Sequence, residues 1–243
     1  MTEITKEIIE EIMRNACEYQ GKCFEARDQV RKYYKTQEKE GENTLRIFID
    51  GLMAKIAQEQ ASKKIENTND KISYQISLFT SFIRTHYLIN DLFMQGDIIE
   101  AITLIRKQFE SLTRLNEIDS KPLLKLHKKT PNVCNIFKKA GKLIYPRLSE
   151  VAHFGTPEVG EFLSIIEDGD LLGPSLIPTY HEYSLACLDL NCFMAIHFLY
   201  WLIEKQKEYY EDFDGEEEQI ILAHITKLAF DLGVIRVPEE KIV

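Results

Sequence analysis

The stretch that decides the fold is "YSLACLDLNCFMAIHFLYWLI", residues 183–203. It is roughly long enough to cross a bilayer, but Asp189, Asn191 and His197 interrupt it, and such groups are expensive in lipid. A helix that is apolar almost all round is then the centre of a helical protein, wrapped by other helices. Its expected span is Thr179 to Tyr210, and no membrane association is expected.

Working outward, "DFDGEEEQ" (212–219) reads as a capped start with acids in the first turn, where the helix dipole favours them, and Gly233 ends that last helix. On the other side, "EDGDLLGPSLIP" (167–178) reads as the longest loop, Asp168-Gly169 included, because its flanks do not alternate. A short helix is expected near Glu158 to Ile166. Residues 121–149 read as shorter helices broken by Pro122, Pro131, Gly141 and Pro146.

Earlier in the chain, helices over 71–95 and 98–118 form an antiparallel pair, with Gly96 as the stop and Asp97 as the next N-cap. Leu45, Phe48, Leu52, Met53, Ile56 and Ala61 mark a helix over 43–66, followed by the polar link "ENTNDK". The N-terminal residues form an amphipathic helix (Ile4, Ile8, Ile9, Ile12, Met13, Ala16), capped by Thr2 or Thr5. A charged surface helix over 21–39 carries the weaker stripe Phe24, Val30, Tyr33 and Tyr34.

The reading is an all-α, multi-helix antiparallel bundle with long central helices and an N-terminal helical arm. It divides into 1–66 (arm), 67–213 (core) and 214–243 (C-terminal capping helix), packed as one domain. Composition agrees. With 243 residues and 44% hydrophobic content the chain can fill a core, and only 11 Gly and 7 Pro disfavour sandwiches and barrels.

The N-terminus, "MTEITKEIIEEIMRN", carries acids throughout and no uninterrupted apolar run of signal-peptide length, so a cytoplasmic location is expected. Cys17, Cys23, Cys134, Cys187 and Cys192 form no CxxC pair. They read as mostly buried small hydrophobes and not as a disulfide framework or zinc site. The histidines show no HExxH spacing, and neither a Gly-rich phosphate loop nor a G-x-S-x-G elbow is present. Nucleotide hydrolases and α/β-hydrolases are set aside, and no metal or cofactor is expected.

Two constellations carry chemistry. Arg106 and Glu110, four residues apart among Leu104, Ile105, Phe109 and Leu112, are neighbours on one helix face, where partial burial makes each charge need its partner. "YPRLSEVAHFG" (145–155) places Arg147, Ser149, Glu150 and His153 between Pro146, suited to a first helical position, and Gly155. Ser149 and His153 share a side. Glu150 stands three residues before His153, close enough to set its tautomer, and a histidine so placed can act as a general acid or base.

The local charge sharpens this reading. Residues 121–149 hold Lys121, Lys125, Lys128, Lys129, Lys138, Lys139, Lys142 and Arg147 without one Asp or Glu, so the overall charge of −9 conceals a polarised molecule. Such a segment, leading into an arginine and a histidine, is where a phosphodiester can be held.

Arg147, five residues, then His153 resembles the Arg-x(4–6)-His motif of the HEPN superfamily, all-helical domains many of which are metal-independent ribonucleases in toxin–antitoxin and phage-defence systems. "IRKQFE" followed by "YPRLSEVAHFG" is also similar to bacterial HEPN-like proteins that share an Arg-x-x-x-Glu helix and an L-S-x-x-x-H turn. The resemblance covers roughly residues 70–210. It implies an RNA-binding protein, and an endoribonuclease in which His153 moves protons, Arg147 stabilises phosphorane-like charge and Glu110 supports them. Arg106, Ser149 and Glu150 stand behind these, and Lys128, Lys129, Lys138, Lys139 and Lys142 hold RNA. It further implies a homodimer and an antitoxin or other protein partner. Six positions at 3.6 residues per turn leave Arg147 and His153 about 120° apart, so their convergence needs a helix end or a second subunit.

Two other readings stand beside it. In one, Arg106, Glu110, Ser149 and His153 form a buried polar knot in a non-catalytic helical interaction module. In the other, a small molecule or nucleotide binds between the central helix and the Arg106 helix, near Tyr145, Phe154 and Tyr180.

Overall fold

The computed structural model describes residues 5–61, 63–66, 68–163, 165–168 and 171–236. In chain order these form helices α1 (Lys6–Gln37), α2 (Glu40–Ala61), α3 (Asp70–Met94) and α4 (Ile98–Ser120), a 3-10 turn at Leu123–Lys125, and α5 (Cys134–Ala152). A 3-10 helix at Pro157–Leu163, strands β1 (Ile165–Asp168) and β2 (Leu171–Pro174), and helices α6 (Tyr183–Tyr209) and α7 (Glu216–Asp231) complete them. The chain is all-α in class.

The apolar stretch of 183–203 becomes α6, buried on nearly every side: Met194, Ala195, Phe198, Leu199 and Leu202 have no exposed surface. It packs against α2, α3, α4 and α7. Tyr34, Ile49, Met53, Ile89, Phe93, Ile105 and Phe109 close the core around it, and Phe82 stacks on Phe198 with ring centroids 4.0 Å apart. Residues 1–66, read as an arm, thus supply Tyr34 and α2 to the same core. Their freely exposed portion is the first half of α1, Lys6 to Lys22.

Helix boundaries follow local chemistry in most places. Thr5 caps α1 and Asn69 caps α3, each side chain accepting from the backbone three residues on. Gly96 ends α3 at φ +85°, and a Cβ there would sit 2.4 Å from the Thr179 carbonyl oxygen, so only glycine fits. Asp97 precedes α4 as expected but gives no cap bond, because Arg27 of α1 holds its carboxylate through two hydrogen bonds of 2.9 and 3.1 Å.

Four local expectations are overturned. The two N-terminal helices are one, since an interior glycine (Gly21) costs a helix only about 1 kcal/mol. Helix α5 runs through both Gly141 and Pro146: Gly141 is buried where Phe137 and Val133 approach, and the irregularity falls instead at Lys138, φ +43°. The short helix predicted to Ile166 stops at Leu163. The stretch read as a loop holds an antiparallel hairpin pairing Ile165 with Pro174 and Asp168 with Leu171, whose strands are too short to show alternation; residues 169–170 fall outside the described residues.

The polar residues of α6 explain how an apolar centre tolerates them. Asn191 is fully buried; its amide donates to Asn90 Oδ1 at 2.8 Å and to the His86 carbonyl at 3.3 Å, and its Oδ1 lies 3.2 Å from His86 Nδ1. His86 Nε2 in turn lies 2.7 Å from Asp50 Oδ1, which also accepts from Asn90. The network ties α2, α3 and α6 together. His86→Ala would leave Asp50 and Asn191 short of partners inside a packed core, an expected loss of about 2–4 kcal/mol in urea unfolding. A loss under about 0.5 kcal/mol, the size of an ordinary surface change, would show that the network does not hold these helices.

Candidate functional site

Helix α4 offers two faces. Ile105, Phe109 and Leu112 are anchored in the core, which fixes Arg106 and Glu110 on the side turned toward α5. Their side chains are 21% and 28% exposed, and Arg106 Nη2 lies 3.2 Å from Glu110 Oε1. Antiparallel α5 brings up Tyr145, whose hydroxyl donates to the same carboxylate oxygen, and whose ring lies 5.6 Å from the Arg106 guanidinium carbon. Burial, then the bond to Glu110, raises the Tyr145 pKa, with Arg106 opposing.

His153 closes the group from the C-cap of α5. Its backbone N–H donates to the Ser149 and Glu150 carbonyls, and Gly155 N–H donates to the Glu150 carbonyl at 2.8 Å. Phe154 between them takes φ +48°, a left-handed turn that costs a non-glycine residue about 1–2 kcal/mol. The turn ends the helix with the imidazole beside α4, where Arg106 Nη1 lies 2.8 Å from His153 Nε2. A guanidinium only donates, so Nε2 accepts and the ring proton sits on Nδ1. His153 is exposed, and Arg106 Nε is buried without a partner among the described residues.

No family model, curated protein or solved structure matches this chain.

The site therefore rests on its own geometry. His153, Arg106 and Glu110 come together, and Tyr145 joins them where Ser149 was expected; Ser149 contributes its backbone carbonyl. Glu150 is exposed and likewise serves through its carbonyl. Arg147 does not join. It lines a separate groove of about 610 Å³ with Glu150, Glu158, Glu161 and His181, as its angular offset from His153 requires.

Lys128, Lys129, Lys138, Lys139 and Lys142 are all exposed, and none forms an ion pair among the described residues. Lys142 stands one turn before Tyr145 on the same face. The segment carrying Lys128 and Lys129 is pinned to α4 by Arg114, 6% exposed, which donates to the Leu126 carbonyl at 3.1 Å and to the Lys129 carbonyl. Sequence reasoning missed Arg114, and missed Tyr145 as a cluster member. Tyr145 stands two helical turns before His153, a spacing legible only once the helix is known to pass through Pro146.

The aromatic pocket expected from Tyr145, Phe154 and Tyr180 is not formed by those residues. Tyr145 packs on Arg106, Phe154 is exposed, and Tyr180 meets Tyr33 edge-on at 4.7 Å. The groove beside Arg147 is walled by Phe162, Tyr183 and His181, with centroids 5.0 to 5.6 Å apart.

Burial lowers the His181 pKa, with Glu182 and Glu161 opposing. The unfolded chain therefore takes up the proton first. The histidine's contribution to stability is full above its unfolded pKa and is lost as pH falls through that value toward the folded one. Melting temperatures on going from pH 7.5 to pH 5.5 should drop less in His181→Phe than in the wild type; equal drops would remove His181 from the pH response.

Proposed function

We propose that this chain is a HEPN-like RNA-binding protein in which the cluster of His153, Arg106, Glu110 and Tyr145 cleaves RNA without a metal ion. The observation that carries the reading is the exposed imidazole held 2.8 Å from a guanidinium, at the end of a helix whose lysines are exposed and unpaired among the described residues. An ion pair or hydrogen bond between buried groups needs no solvent-facing histidine and no adjoining basic strip.

The chemistry follows from the contacts. An RNA phosphate draws Arg106 from His153, since a guanidinium matches phosphate oxygens through paired hydrogen bonds. That frees Nε2 to take the 2′-hydroxyl proton. The 2′-oxygen bonds to phosphorus, the bond from phosphorus to the 5′-oxygen breaks, and the proton that His153 has taken returns through water to the leaving oxygen at this open site. The products are a 2′,3′-cyclic phosphate and a 5′-hydroxyl. Glu110 and Tyr145 hold Arg106 ready, and Arg106 stabilises the charge gathering on phosphorus. Lys142, Lys138 and Lys139, and beyond them Lys128 and Lys129, hold the backbone, so affinity falls as salt rises.

Arg106 thus takes within one chain the role the family resemblance gives to Arg147. A homodimer that completed the site across subunits would restore Arg147 to it. An antitoxin or other partner that covers the lysines of α5 would block RNA access.

A second reading is favoured by the partial burial of Arg106 and Glu110 and by the Tyr145 bond, which join α4 to α5: a non-catalytic helical interaction module. A cleavage time course in EDTA, with structured and unstructured RNA, separates the two. His153→Ala and Arg106→Ala, each checked for native circular dichroism, should lose about 10²- to 10⁴-fold in rate, while Arg147→Ala keeps it. Loss in Arg147→Ala would assign the site to two subunits. No cleavage by the wild type, with His153→Ala less stable, would establish the interaction module.

A further inference from the structure

Helices α2 and α3 both pack on α6, and the bond between Asp50 and His86 joins the two at mid-length. Beyond that joint a groove of about 590 Å³ opens between the three helices, sharing no residue with the α4–α5 cluster. Its volume is that of a small-molecule site. Ile76, Phe79 and Ile83 of α3 stand three and four residues apart, hence on one side of the helix, and with Ile56 of α2 and Leu202 of α6 they wall it. The three α3 side chains are only half-buried, although they are large and apolar. Gln60 Nε2 and Oε1 and Gln206 Oε1 are sealed from solvent, so they do not open on the groove and offer its occupant nothing. Water there finds few partners.

The rim carries the opposite chemistry. Lys63, Lys64 and Arg84 line it and no Asp or Glu does, in a chain with 39 acidic and 30 basic residues. Lys63 is held by Asp212 at 2.7 Å and lies 5.7 Å from the Tyr210 ring centroid. Lys64 and Arg84 are exposed and in no ion pair among the described residues. Apolar walls that end at two uncommitted cations match a molecule with an apolar tail and an anionic head. A nucleotide or sugar would bring polar groups that these walls cannot pair, at a desolvation cost. An alkyl cation would meet like charge at the rim.

We propose that this groove binds a free fatty acid, its alkyl chain between α2, α3 and α6 and its carboxylate on Lys64 and Arg84. The site is independent of RNA cleavage and stands or falls without it.

The test is calorimetric titration and thermal shift of the full chain with octanoate, decanoate, 1-decanol and decyltrimethylammonium, all below their micellar concentrations. Decanoate should raise the melting temperature. It should bind about fourfold tighter than octanoate for each added methylene, as burial of a CH₂ group predicts, and tighter than either uncharged or cationic chain. Replacing both rim cations, Lys64→Ala with Arg84→Ala, should weaken decanoate at least about tenfold, as loss of a charged hydrogen bond does, and leave 1-decanol unchanged. Ala57→Leu on α2 puts a larger side chain into the groove at little cost in helix propensity. It should abolish decanoate binding without lowering the melting temperature of the free protein, so the loss cannot be laid to misfolding. His153→Ala should bind decanoate as the wild type does, which separates this groove from the basic strip of α5. The proposal is overturned by no binding of millimolar decanoate, by decyltrimethylammonium binding as tightly as decanoate, or by binding that survives Ala57→Leu.

Discussion

Burial of α6 is the constraint on which the rest of the molecule depends. A helix apolar on nearly all sides must be covered on all sides, and four other helices are arranged to do it. The cover is not purely apolar. Asn191 sits in the middle of the helix with no exposed surface, and its amide must be answered from neighbouring helices. His86, Asn90 and Asp50 answer it, so one buried polar residue sets the register of α2 and α3 against α6. A similar exchange occurs farther along, where Asp119 of α4 accepts from Trp201, Lys205 and Gln75.

The candidate site depends on that same packing at one remove. Because Phe109 and Ile105 are locked in the core, Arg106 and Glu110 have a fixed position from which to meet α5. Their pairing differs from exposed pairs such as Lys6–Glu10, which contribute little once side-chain entropy and screening are counted. Partial burial, a phenol on the carboxylate and an imidazole on the guanidinium hold Arg106 in one arrangement. Preorganisation of this kind is what the proposed contact with a phosphate would need. The lysines nearby are left to solvent, where an anion can reach them.

How much of the site was legible depended on distance along the chain. Arg106 and Glu110 lie one turn apart on one helix, so their meeting follows from local geometry. Their meeting with His153 does not, because it needs α5 to lie antiparallel on α4. Arg147 shows the converse: proximity to His153 in sequence suggested partnership, yet the helix carries the two to different sides. Tyr145 was hidden by Pro146, whose usual place at a helix start suggested a boundary where α5 is continuous.

The sequence by itself determined the all-α class, the central position of 183–203 and the separation of a basic segment from an acidic remainder. Each is set by periodicity or composition within a few turns, which the chain carries wherever it folds. Tertiary structure alone decided that α1 runs unbroken, that α5 passes through Gly141 and Pro146, that Ile165–Asp168 pair with Leu171–Pro174, and that Arg106 and not Arg147 meets His153. In these places local preferences differ by about 1 kcal/mol or less, and the burial of distant side chains outweighs them.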